Sequence, residues 1–337
     1  MPFCASQIFD TSIKKVTVKF SVLLLLSTSA NATSSSKLFQ NELQQRFASA
    51  VILMDSDVFT FGIHDFDPND WFNLENEEIG TEESVSLRNR IQVTTLPYTI
   101  DLSNDEDIHK HSVMFRLSGL VSEKRIKINN LESGDLNKDR IIAGYAAYKY
   151  KHAINEKWSV EPAFAVHLMH YDNEFDYRSD ILTNAKPLLD GVYLNTSAWS
   201  LIYEPTINFK YERKKPWGSW HIESKWHYFY GHGWGQANYG EIGNTEGWYV
   251  ANGIQSIYNF DKWGKAVQSM YTRFSRIDLG ADIQQPLGTN YYYEASIGWL
   301  MTPPFDTDWV DNVGIGLNFN YGSALKGGSI VLFFNQQ

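Results

Sequence analysis

The sequence predicts an all-β fold, a twelve-stranded antiparallel transmembrane β-barrel with a short N-terminal α-helix. Three observations carry that expectation. The first is a period-two pattern, seen at its plainest from Ala198 to Tyr211. Odd positions read Trp199, Leu201, Tyr203, Pro205, Ile207, Phe209 and Tyr211, while the even ones are small or polar apart from Ile202. Alternate side chains of a strand point to opposite faces, so this segment has one greasy side and one wet side, with aromatics near both ends. A strand crossing a bilayer needs that pattern over about ten residues. The second observation is compositional. Aromatic residues make up 15% of the 337-residue chain, yet mean hydropathy is −0.34, and no apolar run reaches the roughly 18 residues that a spanning helix needs. The third is that long and short connections mostly alternate between the predicted strands.

At the N-terminus, Lys14, Lys15 and Lys19 precede the apolar run Phe20 to Leu26, and Ala30-Asn31-Ala32 follows. A basic stretch, a short apolar core and small residues form an export signal over residues 1–32. Cleavage after Ala32 removes Cys4, the chain's only cysteine, which excludes a disulfide scaffold and a thiolate metal site. It also moves the net charge from −10 to −12, leaving 26 basic and 38 acidic side chains. That balance excludes the basic face a nucleic-acid partner would require.

Residues 33–49 comprise a polar tract, Thr33 to Ser36, and a helix over 37–49. Phe39, Leu43 and Phe47 recur at i, i+4 and i+8 among polar residues, with Ser36 as N-cap. Two readings stay open here, a packing helix outside the barrel and a plug in its lumen.

The barrel proper is expected over 50–337. Its predicted strands are 50–62, 84–96, 110–122, 139–151, 158–171, 196–210, 217–230, 246–260, 264–278, 289–301, 312–321 and 328–335. Alternation is clear in the second (Val85, Leu87, Ile91 and Val93 against Arg88, Arg90 and Gln92) and the third, fifth, sixth, seventh, tenth and eleventh. The first, fourth, eighth, ninth and last are ambiguous. Odd-numbered connections span 21, 16, 24, 15, 10 and 6 residues and even-numbered ones 13, 6, 6, 3 and 10. Long loops outside and short periplasmic turns give this sorting, with both termini on the short-turn side. In hydrocarbon every backbone N–H and C=O must pair within the protein, so the first strand must meet the last.

An export signal, a helix directly ahead of twelve strands and an aromatic last strand, Ile330 to Phe334, together resemble the translocator domain of autotransporters. The nearest resemblance is to the solitary outer-membrane autotransporter-like β-barrel family of Gram-negative bacteria. Only a short stretch lies between Ala32 and the first predicted strand, so no passenger is expected. In one departure, three polar residues, Asn335, Gln336 and Gln337, follow the aromatic Phe334 that the insertion machinery would read. The resemblance implies a monomer in the bacterial outer membrane, in contact with lipid, lipopolysaccharide and the barrel assembly machinery.

Residues on the polar faces are the candidate lumen lining: Arg88, Arg90, Arg116, Glu161, His167, Glu204, Lys210, His221, Glu223, Lys225, His227 and Glu294. Imidazole, carboxylate and ammonium groups on one wall suit a hydrolase dyad or a metal site, and equally a hydrogen-bonded filling or channel coat. Other clusters are poorer candidates. Asp65, Asp67, Asn69 and Asp70, in an acidic loop from His64 to Glu83, offer oxygen donors of the kind Ca²⁺ takes but lack an EF-hand's glycine and distal glutamate. Gly231, Gly233, Gly235, Gly240, Gly243 and Gly247 fit no phosphate cradle. No G-x-S-x-G occurs, and His170 with Asp172 only faintly echoes a barrel protease. The expectation is a non-enzymatic barrel without cofactor or dedicated metal, acting as pore or surface structural protein. Its rivals are a small-solute channel and a barrel lipase or protease.

Overall fold

The computed structural model describes residues 32–56, 58–104, 109–127, 134–304 and 310–336, so the export signal lies outside the described residues. Twelve antiparallel strands form one sheet: β1 (His64–Phe66), β2 (Ile91–Asp101), β3 (His109–Ile126), β4 (Asp135–Ala153), β5 (Trp158–Asp176), β6 (Ser197–Lys215), β7 (Gly218–Gly235), β8 (Asn244–Trp263), β9 (Ala266–Ala281), β10 (Tyr291–Met301), β11 (Val313–Tyr321) and β12 (Gly327–Phe334). Each of β2 to β12 pairs with its sequence neighbour, and β1 pairs with β12, His64 standing opposite Ile330.

The alternation read from the sequence sets which side faces out. Along β6, Trp199, Tyr203 and Phe209 are 38–46% exposed, whereas Ala198, Ser200, Ile202 and Glu204 are at most 2% exposed. Phe164, Leu168, Ile222, Trp226, Ile254 and Ile297 continue the exposed belt on neighbouring strands. Exposed aromatics ring both rims, Trp158, Trp217, Tyr258 and Trp263 at the end of the short turns and Trp234, Trp248 and Tyr291 at the other. This is the exterior that lipid requires.

Three even-numbered connections are tight, spanning residues 154–157, 216–217 and 264–265, while odd-numbered ones include 67–90 and 177–196. The alternation ends at the last pair, where 302–312 is longer than 322–326. Helices occupy the long connections: α2 (Pro68–Phe72), α3 (Glu82–Arg88), α4 (Asp180–Leu189) and α5 (Gln284–Leu287), with a 3₁₀ turn at Ala237–Gly240 between β7 and β8.

The N-terminal third departs from the sequence reading. One helix, α1 (Ala32–Leu53), begins ahead of the predicted polar tract and runs through the first four residues of the predicted first strand. Ser36 therefore lies inside the helix rather than capping it. Leu43, Phe47, Ala48, Ala50, Val51 and Ile52 are all at most 1% exposed. A helix surrounded by protein is apolar all round near its end, and that erases the period that would separate helix from strand. None of the described residues in the predicted first strand, 50–62, lies in a strand; the strand that meets β12 is His64–Phe66, at the start of the expected acidic loop.

The predicted strand over 84–96 is split in the same way. Thr81 caps α3 in a reciprocal box with Ser84, a start signal that Thr81-Glu82-Glu83-Ser84 carried in the sequence. Val85, Leu87 and Arg88 are thus helical, and β2 begins at Ile91. Arg88 and Arg90 consequently share no strand face: Arg88 is fully buried, while Arg90 is exposed and donates to Ser86 Oγ at 3.0 Å. Ile91 and Val93 pack inward on the core, and β2 turns Leu96, Tyr98 and Ile100 outward.

Among the described residues no ladder joins β1 to β2, the two ends of the sheet. They flank a cleft lined by Phe61 to Asp65 on one side and Arg88 to Val93 on the other. Arg88 spans this seam. Its Nε donates to Asp65 Oδ1 at 3.0 Å, Nη1 to the Leu325 carbonyl at 2.8 Å and Nη2 to Ser329 Oγ at 2.5 Å, and Ser329 Oγ also donates to Asp65. Phe59 and Phe61 cover the guanidinium at 5.6 and 5.7 Å.

Two outcomes follow. Arg88→Met leaves the Asp65 carboxylate buried beside the seam without its cation, and should cost about 3–5 kcal/mol, read as a lower urea midpoint for the heat-modifiable gel band; adding Asp65→Asn should recover part of it. Phe164→Lys, at the middle of the outer belt, should cost about 2–4 kcal/mol in a bilayer, checked by folding titration into lipid vesicles.

Candidate functional site in the barrel interior

The inner face of the sheet changes character along its length, and the N-terminal segment matches each level. At the end carrying the odd-numbered connections the inward strand residues are apolar. Ile141, Met169, Tyr171, Ile277, Leu279 and Tyr292 pack with Leu43, Phe47, Val51 and Ile52 of α1 into one buried cluster, closed by Ile242, Ile283, Leu287 and Leu325 from the loops. Polar ties fix the helix in place. The Asn238 amide donates to the Ser36 carbonyl at 2.9 Å and Gln44 to the Asn244 carbonyl at 2.7 Å. Arg46 pairs with Asp139 and donates to Tyr171 Oη at 2.6 Å, and Tyr171 donates in turn to Asp139 at 2.7 Å.

After α1, residues 58–63 lead back to β1 and meet a second polar level. Tyr292 Oη donates to the Val58 carbonyl at 2.9 Å, and the Thr60 N–H donates to Glu294 Oε1 at 2.8 Å. Asn318 donates to the same oxygen at 3.1 Å. Glu294 therefore holds the returning segment instead of facing open space.

Below this lies the most condensed charged group in the molecule. His167 Nε2 and His227 Nδ1 donate to the two oxygens of Glu204, at 2.6 and 2.8 Å. Tyr249 Oη lies 3.0 Å from both Glu204 and Asp55, so its single proton bridges the β6 carboxylate and the one that follows α1. The Arg116 guanidinium sits 3.7 Å from Asp55 and 4.3 Å over the Tyr145 ring. His227 stacks on Tyr249 at 4.2 Å, and Tyr145 meets His167 edge-on at 4.8 Å. Both oxygens of Glu204 are engaged, and its side chain is 3% exposed.

The end carrying the short turns is open. A cavity of about 350 Å³ is lined by Glu161, Lys210, His221, Glu223 and Lys225 from the sequence-derived set, and also by Lys149, Lys151 and Arg273. Lys225 and Arg273 each approach Glu223 at 3.5 Å, and Lys210 lies 3.7 Å from Glu212.

The candidate lining residues thus divide among four places. Arg88 is at the seam and Arg90 on the surface. Glu294, with Arg116, His167, Glu204 and His227, is in the sealed middle. Glu161, Lys210, His221, Glu223 and Lys225 surround the open cavity. Sequence reasoning missed Arg46, Asp55, Tyr249, Lys149, Lys151 and Arg273. Lys149 and Lys151 had a usable signal, since they alternate with Tyr148 and Tyr150 along β4.

The remaining motifs serve structure. Asp65 is taken up by Arg88, and Asp67 accepts from the Asn69 N–H as cap of α2. Among the described residues no group of three or more acidic, His or Cys side chains is placed to hold a metal ion. His170 meets Trp199 in a tilted ring contact at 4.4 Å, and Asp172 pairs with Arg140. Of the glycine-rich stretch, Gly247 has a clear packing reason: a Cβ there would stand 2.2 Å from the Phe229 ring.

The sequence profile of the solitary outer membrane autotransporter beta-barrel domain matches residues 44–336. No curated protein matches the chain. Among solved structures, the beta domain of the Bordetella autotransporter BrkA is similar at 13% identity, covering 72% of this chain and 88% of that one with a TM-score of 0.43. LpxR from Salmonella typhimurium is similar at 7% identity over 71% of this chain and 86% of that one, TM-score 0.36.

Replacing the central carboxylate tests the polar level. Glu204→Gln trades one acceptor oxygen for an N–H₂ aimed at an imidazole that already donates, and should lower stability by about 1–3 kcal/mol. The exposed Glu174→Gln should change it by less than about 0.5 kcal/mol in the same urea series.

Proposed function

This chain belongs to the solitary outer membrane autotransporter β-barrel domain family, and on that basis we propose that it is a closed, non-enzymatic barrel of the bacterial outer membrane. Its own residues 35–56 and 58–60 seal the axis. The observation that carries this reading is the burial of that segment. From Leu43 to Phe59, eight apolar side chains beyond the alanines are at most 6% exposed: Leu43, Phe47, Val51, Ile52, Leu53, Met54, Val58 and Phe59. A channel coat would leave that space to water; here it is packed like a protein core.

The outside lies at the end of the odd-numbered connections, where α2, α4 and the 3₁₀ turn elaborate the loops. The periplasm lies at the end of the tight turns and Phe334, where the assembly machinery would read the last strand. The protein works as a monomer, because the exterior belt is complete around its strands and is covered by lipid and lipopolysaccharide. A non-enzymatic role draws support from Glu204. Both its oxygens already accept from imidazoles and a phenol behind the buried helix, so an acid–base role would have to break that network. No passenger segment is included in this reading.

The open polar cavity favours a second reading, a small-solute channel that conducts once the plug is displaced. Planar-bilayer recording separates the two. The intact chain should give no steady conductance above background, whereas deletion of residues 36–53 should give frequent openings, provided the deletion variant keeps its heat-modifiable gel shift. A steady open conductance from the intact chain would overturn the closed reading and favour the channel.

A further inference from the structure

The cavity at the short-turn end goes beyond a closed structural barrel. We propose that it is a binding site for a compact polyvalent oxyanion, of the phosphate or pyrophosphate type, entered from that end of the barrel. Its wall gathers five cations, Lys149, Lys151, Lys210, Lys225 and Arg273, against two carboxylates, Glu161 and Glu223. That is a positive surplus in a chain whose net charge is −10.

The two carboxylates do not neutralise the wall. Glu223 is shared between Lys225 and Arg273. Lys210 lies 3.7 Å from Glu212 and opposite Glu223 in the β6–β7 ladder. Lys149 and Lys151, at consecutive inward positions of β4, are half-buried and engage no carboxylate within ion-pair distance among the described residues. Side chains of Lys210, Lys225 and Arg273 are only 13–19% exposed, so bulk water screens their mutual repulsion incompletely. A recess whose lining carries a surplus of one sign of charge focuses its field and raises the local concentration of counter-charged solutes.

Neutral groups give the site shape. Ser112, Ser159, Gln255 and Thr99 line it beside the cations. The Oδ1 of Asn208, also in the wall, is buried without a hydrogen-bond partner. It calls for a donor, which a protonated phosphate or a sugar-phosphate hydroxyl supplies. A volume of about 350 Å³ suits a small ligand of that kind. The Glu204 level and the plug roof the cavity, so it holds an anion without passing it on.

The test uses the intact, folded chain in detergent and does not depend on conductance, so it can fail while the closed reading stands, and the reverse. Titration calorimetry with tripolyphosphate should show one saturable site whose affinity falls as salt is raised. Lys149→Gln with Lys151→Gln should weaken it at least tenfold, while Lys214→Gln with Lys215→Gln, the same charge change on the exposed rim of β6, should leave it within twofold. If the cavity double variant loses its gel shift, each single variant should still weaken binding at least threefold. Comparing glycerol 3-phosphate with dihexanoyl phosphatidic acid separates sources: equal affinity marks a free solute, tighter binding of the lipid marks a headgroup. Absence of saturable binding, or equal loss from the rim pair, overturns the proposal.

Discussion

A sheet in hydrocarbon cannot leave strand edges unpaired, and in this molecule that demand falls on one place, where β1 and β2 end the ladder. β1 has only three residues paired with β12, too few to close a wall unaided. Arg88 makes up the difference. A guanidinium presents five donors in a fixed fork, and here they reach β1 through Asp65, β12 through Ser329 and the β11–β12 connection through the Leu325 carbonyl. Because Arg88 is on α3, the whole connection 67–90 becomes part of the closure. Breaking a buried pair of this kind is strongly destabilising.

The interior follows from a second demand, that the space inside the strands be filled or wetted. Both solutions appear, one above the other. The half nearest the odd-numbered connections is dry, and apolar strand residues meet an apolar helix. The opposite half is wet, lined by lysines and glutamates around a cavity. Between them, Glu204, Asp55, Arg116, Tyr249 and two histidines form a level in which charges sit close enough to satisfy one another. Buried polar groups are tolerable only when each finds partners. The helix meets that condition by placing Asp55 where Arg116 and Tyr249 can reach it. A plug held this way is specified by chemistry at three heights, loops, helix and turn, rather than by fit alone.

The cationic cavity belongs to the same design. Opposite charges are concentrated at the polar level and a surplus of positive charge is left in the recess below it, so the protein's unspent electrostatic potential sits where solutes can arrive. An acidic protein that keeps Lys149 and Lys151 facing inward with no carboxylate at ion-pair distance among the described residues is maintaining a cost that a ligand would offset.

What the sequence by itself determined is the exterior. Period-two greasiness in β3, β5, β6, β7, β10 and β11 could be read directly because one face meets lipid and the other meets water or polar groups. Strand number and antiparallel order followed from it, whereas the strand that meets the last one, His64–Phe66, lies outside the predicted first strand, 50–62. Where both faces are apolar the reading failed or stayed ambiguous: Ile141 faces α1 while Ile142 faces outward, so β4 shows no clear alternation. The same cause hid the end of α1, whose residues 50–53 are all buried. Only the tertiary structure decided which polar residues meet. Partners such as Asp55 and Tyr249, 194 positions apart, are joined by strand register and by a helix folded back into the barrel, and no local pattern records such a meeting.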